Sequence, residues 1–183
     1  NSTQQQRDRF KKYNIFGIEQ ESAVAALAIV NMIFRGDGKN NITEGNCFST
    51  FLTKKNVNGH ASAAYIHQQP APGNEAVTRV LMNPPFALKG STDKEYRFVT
   101  QALSQMVDGK ILFALVPLNV LFGAHDEKVW RRDELLANHT LLSVLSLPDE
   151  LFYPAAQKQV AAIIVKKGMA HPKNQAVFWA RIH

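Results

Sequence analysis

Two uninterrupted apolar runs, residues 111–117 and 160–165, set the tightest limit on what this chain folds into. A strand with one wet face alternates apolar and polar side chains, whereas a strand apolar at every position is covered on both faces. Stretches of helical spacing separate these runs. Residues 13–18 read as a short strand. Residues 20–34 read as a helix, with Ala23, Leu27, Val30 and Phe34 at helical spacing and Gly36-Asp37-Gly38 as its stop. Residues 41–44 and 77–82 read as strands, 94–108 as a helix closed by Gly109, and 127–137 as a charged helix. Residues 141–147 are a further strand and 176–182 an edge strand. This alternation predicts an α/β fold with a mostly parallel sheet. The link between 141–147 and 160–165 is too short for a helical crossover, so that terminal pair is expected to be antiparallel. Within one domain over 1–183, residues 1–12 are expected as a flexible N-terminal tail and 48–76 as an irregular insertion.

Composition narrows the class. Hydrophobic content of 45% in 183 residues is enough for a sizeable core. Polar residues interrupt every candidate membrane span, and the polar start resembles no signal peptide. Beginning at Asn rather than Met suggests a processed product or a fragment. Cys47 is the single cysteine, so no internal disulfide forms and a cytoplasmic setting is expected. The net charge of +6 fits a polyanionic partner. Lys54, Lys55, Lys128, Arg131, Arg132, Lys166 and Lys167 are candidate phosphate contacts. His60 and His67 have no carboxylate or cysteine cluster beside them, which argues against a metal site.

The strand at 77–82 runs straight into Asn83-Pro84-Pro85-Phe86. Each proline has a fixed φ and no N–H, and each restrains the residue before it to extended backbone. The result is a stiff corner that frees the Pro84 carbonyl and fixes the direction of the Asn83 amide. Those two oxygens can take the two hydrogens of one flat exocyclic amine. Holding both favours a tetrahedral nitrogen with an available lone pair. Phe86 offers a flat face to the base that bears the amine, and such a base must first leave the duplex.

Val80-Leu81-Met82-Asn83-Pro84-Pro85-Phe86 resembles the amino-methyltransferase signature of DNA adenine methyltransferases. Tyr13-Asn14-Ile15-Phe16-Gly17-Ile18-Glu19-Gln20 looks like the second strand and helix start of the modification subunit of type I restriction systems. Leu147-Pro148-Asp149-Glu150-Leu151-Phe152-Tyr153-Pro154 is similar to the approach to that family's last strand. The resemblance implies a Rossmann-like, S-adenosylmethionine-dependent methyltransferase core. It implies Asn83, Pro84, Pro85 and Phe86 as the catalytic corner and Phe152, with Tyr153 second, as the residue lying across a flipped adenine. Glu19 would accept from the cofactor ribose, as an acid at that place in doubly wound folds commonly does. Asn46 stands where the family often has Asp, and its amide oxygen would take the cofactor's adenine amine. Cys47 would be a small wall beside it. The implied partners are DNA and specificity and restriction subunits or domains. An amino methyltransferase acting on protein or RNA, and a non-catalytic module binding DNA or a partner subunit, are the alternatives.

The family's first strand and its glycine-rich cofactor loop have no counterpart before Tyr13. The gap is expected to be closed by direct pairing, filled by a neighbouring molecule or left as an open edge. Half of the cofactor pocket is then missing. Calorimetry on the isolated chain should show S-adenosylmethionine binding weaker than micromolar; micromolar binding would refute this.

Overall fold

The computed structural model describes residues 2–36, 41–86, 94–153 and 159–182, and the chain forms two compact units, Asn1–Ala76 and Val77–His183. No helix among the described residues is long and apolar enough to cross a membrane.

The first unit begins with helix α1 (Ser2–Asn14), where a flexible tail and then a strand were expected. Its Gln, Arg and Lys residues are good helix formers with no breaker among them, but they form no apolar stripe to announce a helix. Two carbonyls of its last turn find side-chain donors: Asn41 Nδ2 reaches Lys12 O at 2.8 Å and Ser62 Oγ reaches Tyr13 O at 3.0 Å. Strand β1 is only Gly17–Glu19 and pairs in parallel with β2 (Ile42–Glu44). Between them, α2 (Ser22–Phe34) ends with the Gly36 N–H on Ile33 O at 3.0 Å and Gly36 at φ 66°. Asp37 and Gly38 lie outside the described residues.

The side of α2 that carries Leu27, Val30 and Phe34 is the one left in water. Ala25 is buried and Ala28, Ile29 and Met32 are half-buried, whereas Leu27 (62%), Val30 and Phe34 (85%) are exposed. A helix apolar on both sides gives two equally good faces by spacing alone.

The segment expected to be irregular contains a regular antiparallel hairpin, β3 (Phe51–Val57) with β4 (His60–Ile66). Asn58 and Gly59 have φ of 52° and 78°, the two left-handed residues that a two-residue hairpin turn requires. Asn-Gly is the strongest short-range sign of such a turn, but the polar run Lys54-Lys55-Asn56 masks the alternation around it.

The second unit holds a five-stranded sheet in the order β5 (Val77–Met82), β6 (Met106–Pro117), β8 (Val160–Lys167), β7 (His139–Ser146), β9 (Phe178–Arg181). β5 is parallel to β6 and β9 to β7, while β8 runs antiparallel to both of its neighbours. Four of the five strands therefore point one way, and the expected antiparallel pair is β7–β8. Helix α3 (Glu95–Ser104) is shorter than expected because Met106, completely buried, already belongs to β6. Gly109, read as a helix stop, instead has φ 76° inside β6, where the ladder skips from Val77↔Met106 to Arg79↔Ile111. After β6 come α4 (Leu118–Phe122), α5 (Asp126–Val129), a π-helical turn (Trp130–Leu135) and α6 (Leu136–Asn138).

Leu112, Ala114, Val116, Ala161, Ile163 and Val165 from the two central strands form the middle of the core, with Val99, Trp130 and Leu135 from the helices. Among the described residues β1 pairs with β2 alone and β5 with β6 alone.

Burial should rank substitutions that hydropathy does not. Ile163→Ala is expected to cost about 2–5 kcal/mol, and Leu27→Ala no more than about 0.5 kcal/mol, in urea unfolding of the full chain. The reverse ranking would mean that α2 is covered in solution.

Candidate active site

Parallel strands end on the same side of a sheet, so the loops after β5 and β7 share one edge of the second unit. Asn83-Pro84-Pro85-Phe86 follows β5 immediately and has no regular secondary structure. Pro84 is buried, anchoring the corner, while Asn83 is exposed. Phe152 closes a short 3₁₀ turn, Asp149–Phe152, in the loop after β7. Its ring meets that of Phe86 edge-to-face, with centroids 5.4 Å apart and planes at 87°. The corner and the aromatic expected across from it are thus in contact, although they stand 66 positions apart in sequence. Tyr153, the second choice, is 70% exposed, and Pro154 lies outside the described residues.

In the first unit, Glu19 ends β1 directly opposite Glu44, the last residue of β2. Both carboxylates turn toward the start of α2: Glu19 Oε1 accepts from the Glu21 N–H at 2.9 Å and Glu44 Oε1 from Ser22 Oγ at 2.6 Å. A helix N-terminus favours such negative charge. Glu44 was read only as a strand residue. Its signal was the repeated pattern of an acid closing each of two short strands.

The Gly45 N–H donates to Glu19 O at 2.9 Å, which ties the following loop to β1. In that loop, Asn46 Oδ1 accepts from the Phe48 N–H at 2.8 Å, forming a local Asx turn. The backbone uses one lone pair of this oxygen, and the second stays available to a ligand amine. Cys47 is half-buried.

At the opposite end of the β1–β2 pair, the Tyr65 hydroxyl accepts from the Gly17 N–H at 3.0 Å and stands 2.7 Å from Gly17 O and 2.5 Å from Asn41 O. Burial pushes its pKa up to about 12, against the Gly17 hydrogen bond, which lowers it. The proton therefore stays on through the neutral range. Nothing in the local sequence singles out this tyrosine.

Several expected phosphate contacts are engaged internally. The Arg131 guanidinium donates to Val120 O at 2.8 Å and Gly123 O at 2.7 Å. Lys54 Nζ donates to Gly73 O at 2.6 Å, Lys167 Nζ to Met106 O, and Arg132 pairs with Asp133.

The mixed α/β architecture is that of a Rossmann-like methyltransferase core. The model of the N-6 DNA methylase family matches residues 1–181, and the chain belongs to that family. It is 30% identical over 177 residues to the type II restriction enzyme and methyltransferase RM.BcgI of Heyndrickxia coagulans, covering 94% of this chain and 25% of that protein. The chain therefore spans about a quarter of that relative's length. Its fold is similar to the M protein of the type I restriction enzyme EcoKI, with a TM-score of 0.62, 22% identity, and coverage of 85% of this chain and 31% of the other. A modification subunit of a putative type I restriction enzyme from Vibrio vulnificus gives a TM-score of 0.64 at 18% identity, covering 90% and 37%.

The aromatic contact can be tested apart from catalysis. A double-mutant cycle of Phe86→Leu and Phe152→Leu in urea unfolding should give a coupling of about 0.5–1.5 kcal/mol. Strict additivity would mean that the two rings do not meet in solution.

Proposed function

We propose that this chain is the catalytic-core part of an enzyme that moves a methyl group from S-adenosylmethionine to the exocyclic amino nitrogen of a flipped adenine in DNA, within a restriction–modification system. The observation behind this reading is the exposed Asn83 on a buried proline anchor, with Phe86 touching Phe152.

Asn83 Oδ1 and the Pro84 carbonyl accept the two amino hydrogens and draw the nitrogen toward a tetrahedral shape. The lone pair so freed forms the N–CH3 bond as the S–CH3 bond breaks, and the surplus proton passes from nitrogen to water. The cofactor supplies a methyl on a sulfonium, which departs as a neutral thioether, so no strong base is required. Phe86 and Phe152 hold the base: it replaces the edge of one ring on the face of the other and exchanges one aromatic contact for another. Fixed acceptors aimed at the reacting nitrogen act mainly by orientation and preorganised electrostatics.

The residues present fit the acceptor side of cofactor binding. Glu19 has one oxygen on the Glu21 N–H and a second for a ribose hydroxyl, and the Asn46 amide oxygen, with a lone pair left for the adenine amine, and the Cys47 wall lie in the loop tied to Glu19. The basic balance suits DNA, with Lys55, Lys128 and Lys166 as the phosphate contacts carried forward from the sequence. Specificity and restriction subunits or domains are the protein partners proposed, in the cytoplasm.

The test uses the full-length protein with tritiated S-adenosylmethionine on DNA, RNA and protein. Label should enter DNA, and Asn83→Ala should lower the rate about a hundredfold to a thousandfold. Label in RNA or protein alone would transfer the mechanism to another amine. An Asn83→Ala variant as active as wild type would end it.

A further inference from the structure

We infer that Tyr65 is a positioning residue for the cofactor end of the site: its hydroxyl ties the first residue of β1 to the residue leading into β2 and so fixes Glu19 and the loop after Glu44. This rests on the reading of Glu19 as a cofactor contact.

β1 and β2 are three residues each. A two-stranded parallel ladder of that length does not support itself. At its start the Gly17 N–H reaches Asn41 O at 2.9 Å, and the Tyr65 hydroxyl stands at the same point. It accepts from the Gly17 N–H and gives its single proton to Gly17 O or Asn41 O. One hydroxyl thus touches the backbone of β1 and of the residue leading into β2. The approach there is close, because a Cβ on Gly17 would meet Ile42 Cδ1 at 2.6 Å.

Tyr65 is itself firmly based. It belongs to β4, which pairs with β3 at every position from Phe51↔Ile66 to Val57↔His60. Its ring meets Phe16 edge-to-face at 5.8 Å. Asn41 is held from its other side by Nδ2 on Lys12 O.

Glu19 and Glu44 lie two residues farther along the same ladder, roughly 7 Å from the hydroxyl's contacts at the usual rise per residue. The Gly45 N–H on Glu19 O continues the pairing into the loop. A shift at Gly17 is therefore handed on to the carboxylate. Tyr65 does not act on a ligand directly, since its hydroxyl is committed to backbone groups at the far end of the strands.

The experiment compares Tyr65→Phe with wild type in the full-length protein. Calorimetry should show the Kd for S-adenosylmethionine rising about fivefold to thirtyfold, the size of a lost buried hydrogen bond. In turnover, KM for S-adenosylmethionine should rise by a similar factor while kcat stays within about twofold. In a Glu19→Gln background, Tyr65→Phe should add less than about twofold, because both changes act through one carboxylate. Ser62→Ala removes a brace on α1 but none on the ladder, and should leave the Kd unchanged.

An unchanged Kd in Tyr65→Phe overturns the inference. So does a full additional loss on top of Glu19→Gln, or a fall in kcat that parallels loss of thermal stability, which marks a merely structural brace. If Tyr65→Phe fails to fold despite keeping its ring on Phe16, that too assigns the residue to structure. Wild type that binds S-adenosylmethionine but methylates no DNA defeats the proposed function and leaves the binding comparison to judge Tyr65.

Discussion

The candidate site depends on strand direction. β8 runs against both β6 and β7, and that reversal lets β6 and β7 point the same way while sharing a neighbour. Completely buried side chains on β6 and β8, Leu112, Val116, Ile163 and Val165 among them, make a slip of either strand expensive, since a shift would take each out of the close packing it fits. With direction and register fixed, the loops after β5 and β7 open at one end of the sheet, and Phe86 meets Phe152 there. The proline corner supplies stiffness, but the sheet decides what the corner faces.

The first unit solves a different problem. Its short parallel ladder places two carboxylates side by side against the start of α2. The stability of that ladder comes from a neighbouring hairpin, through the tyrosine that reaches its base. A well-paired element of little chemical interest thereby supports a poorly paired one that carries the candidate chemistry, as functional groups often require from the scaffold around them.

How much of this was readable from sequence follows from how local each signal is. The strand at 160–165, the corner after Met82 and the acid at Glu19 each declare themselves within a few residues, and each lies where expected. The helix α1 was not legible as such because its composition is that of a solvated tail, and its last carbonyls are met by Asn41 and Ser62, far along the chain. The packing face of α2 was not legible because both faces are apolar, so spacing could not choose. Gly109 looked like a helix stop because glycine marks a positive φ wherever one occurs, in a bulge as readily as at a cap. Arg131 looked available to DNA until the fold brought Val120 and Gly123 to it. The contacts missed were those between residues distant in sequence.

Among the described residues β5 has a ladder on one side only, yet it ends in the corner that bears Asn83. Backbone amides on an unladdered side are the first to trade protons with water, and edge strands open well below the free energy of global unfolding. The corner's orientation is therefore as steady as the fraying of β5 allows. A strand added along that free side would slow exchange there and sharpen the aim of the amide without touching any reacting atom.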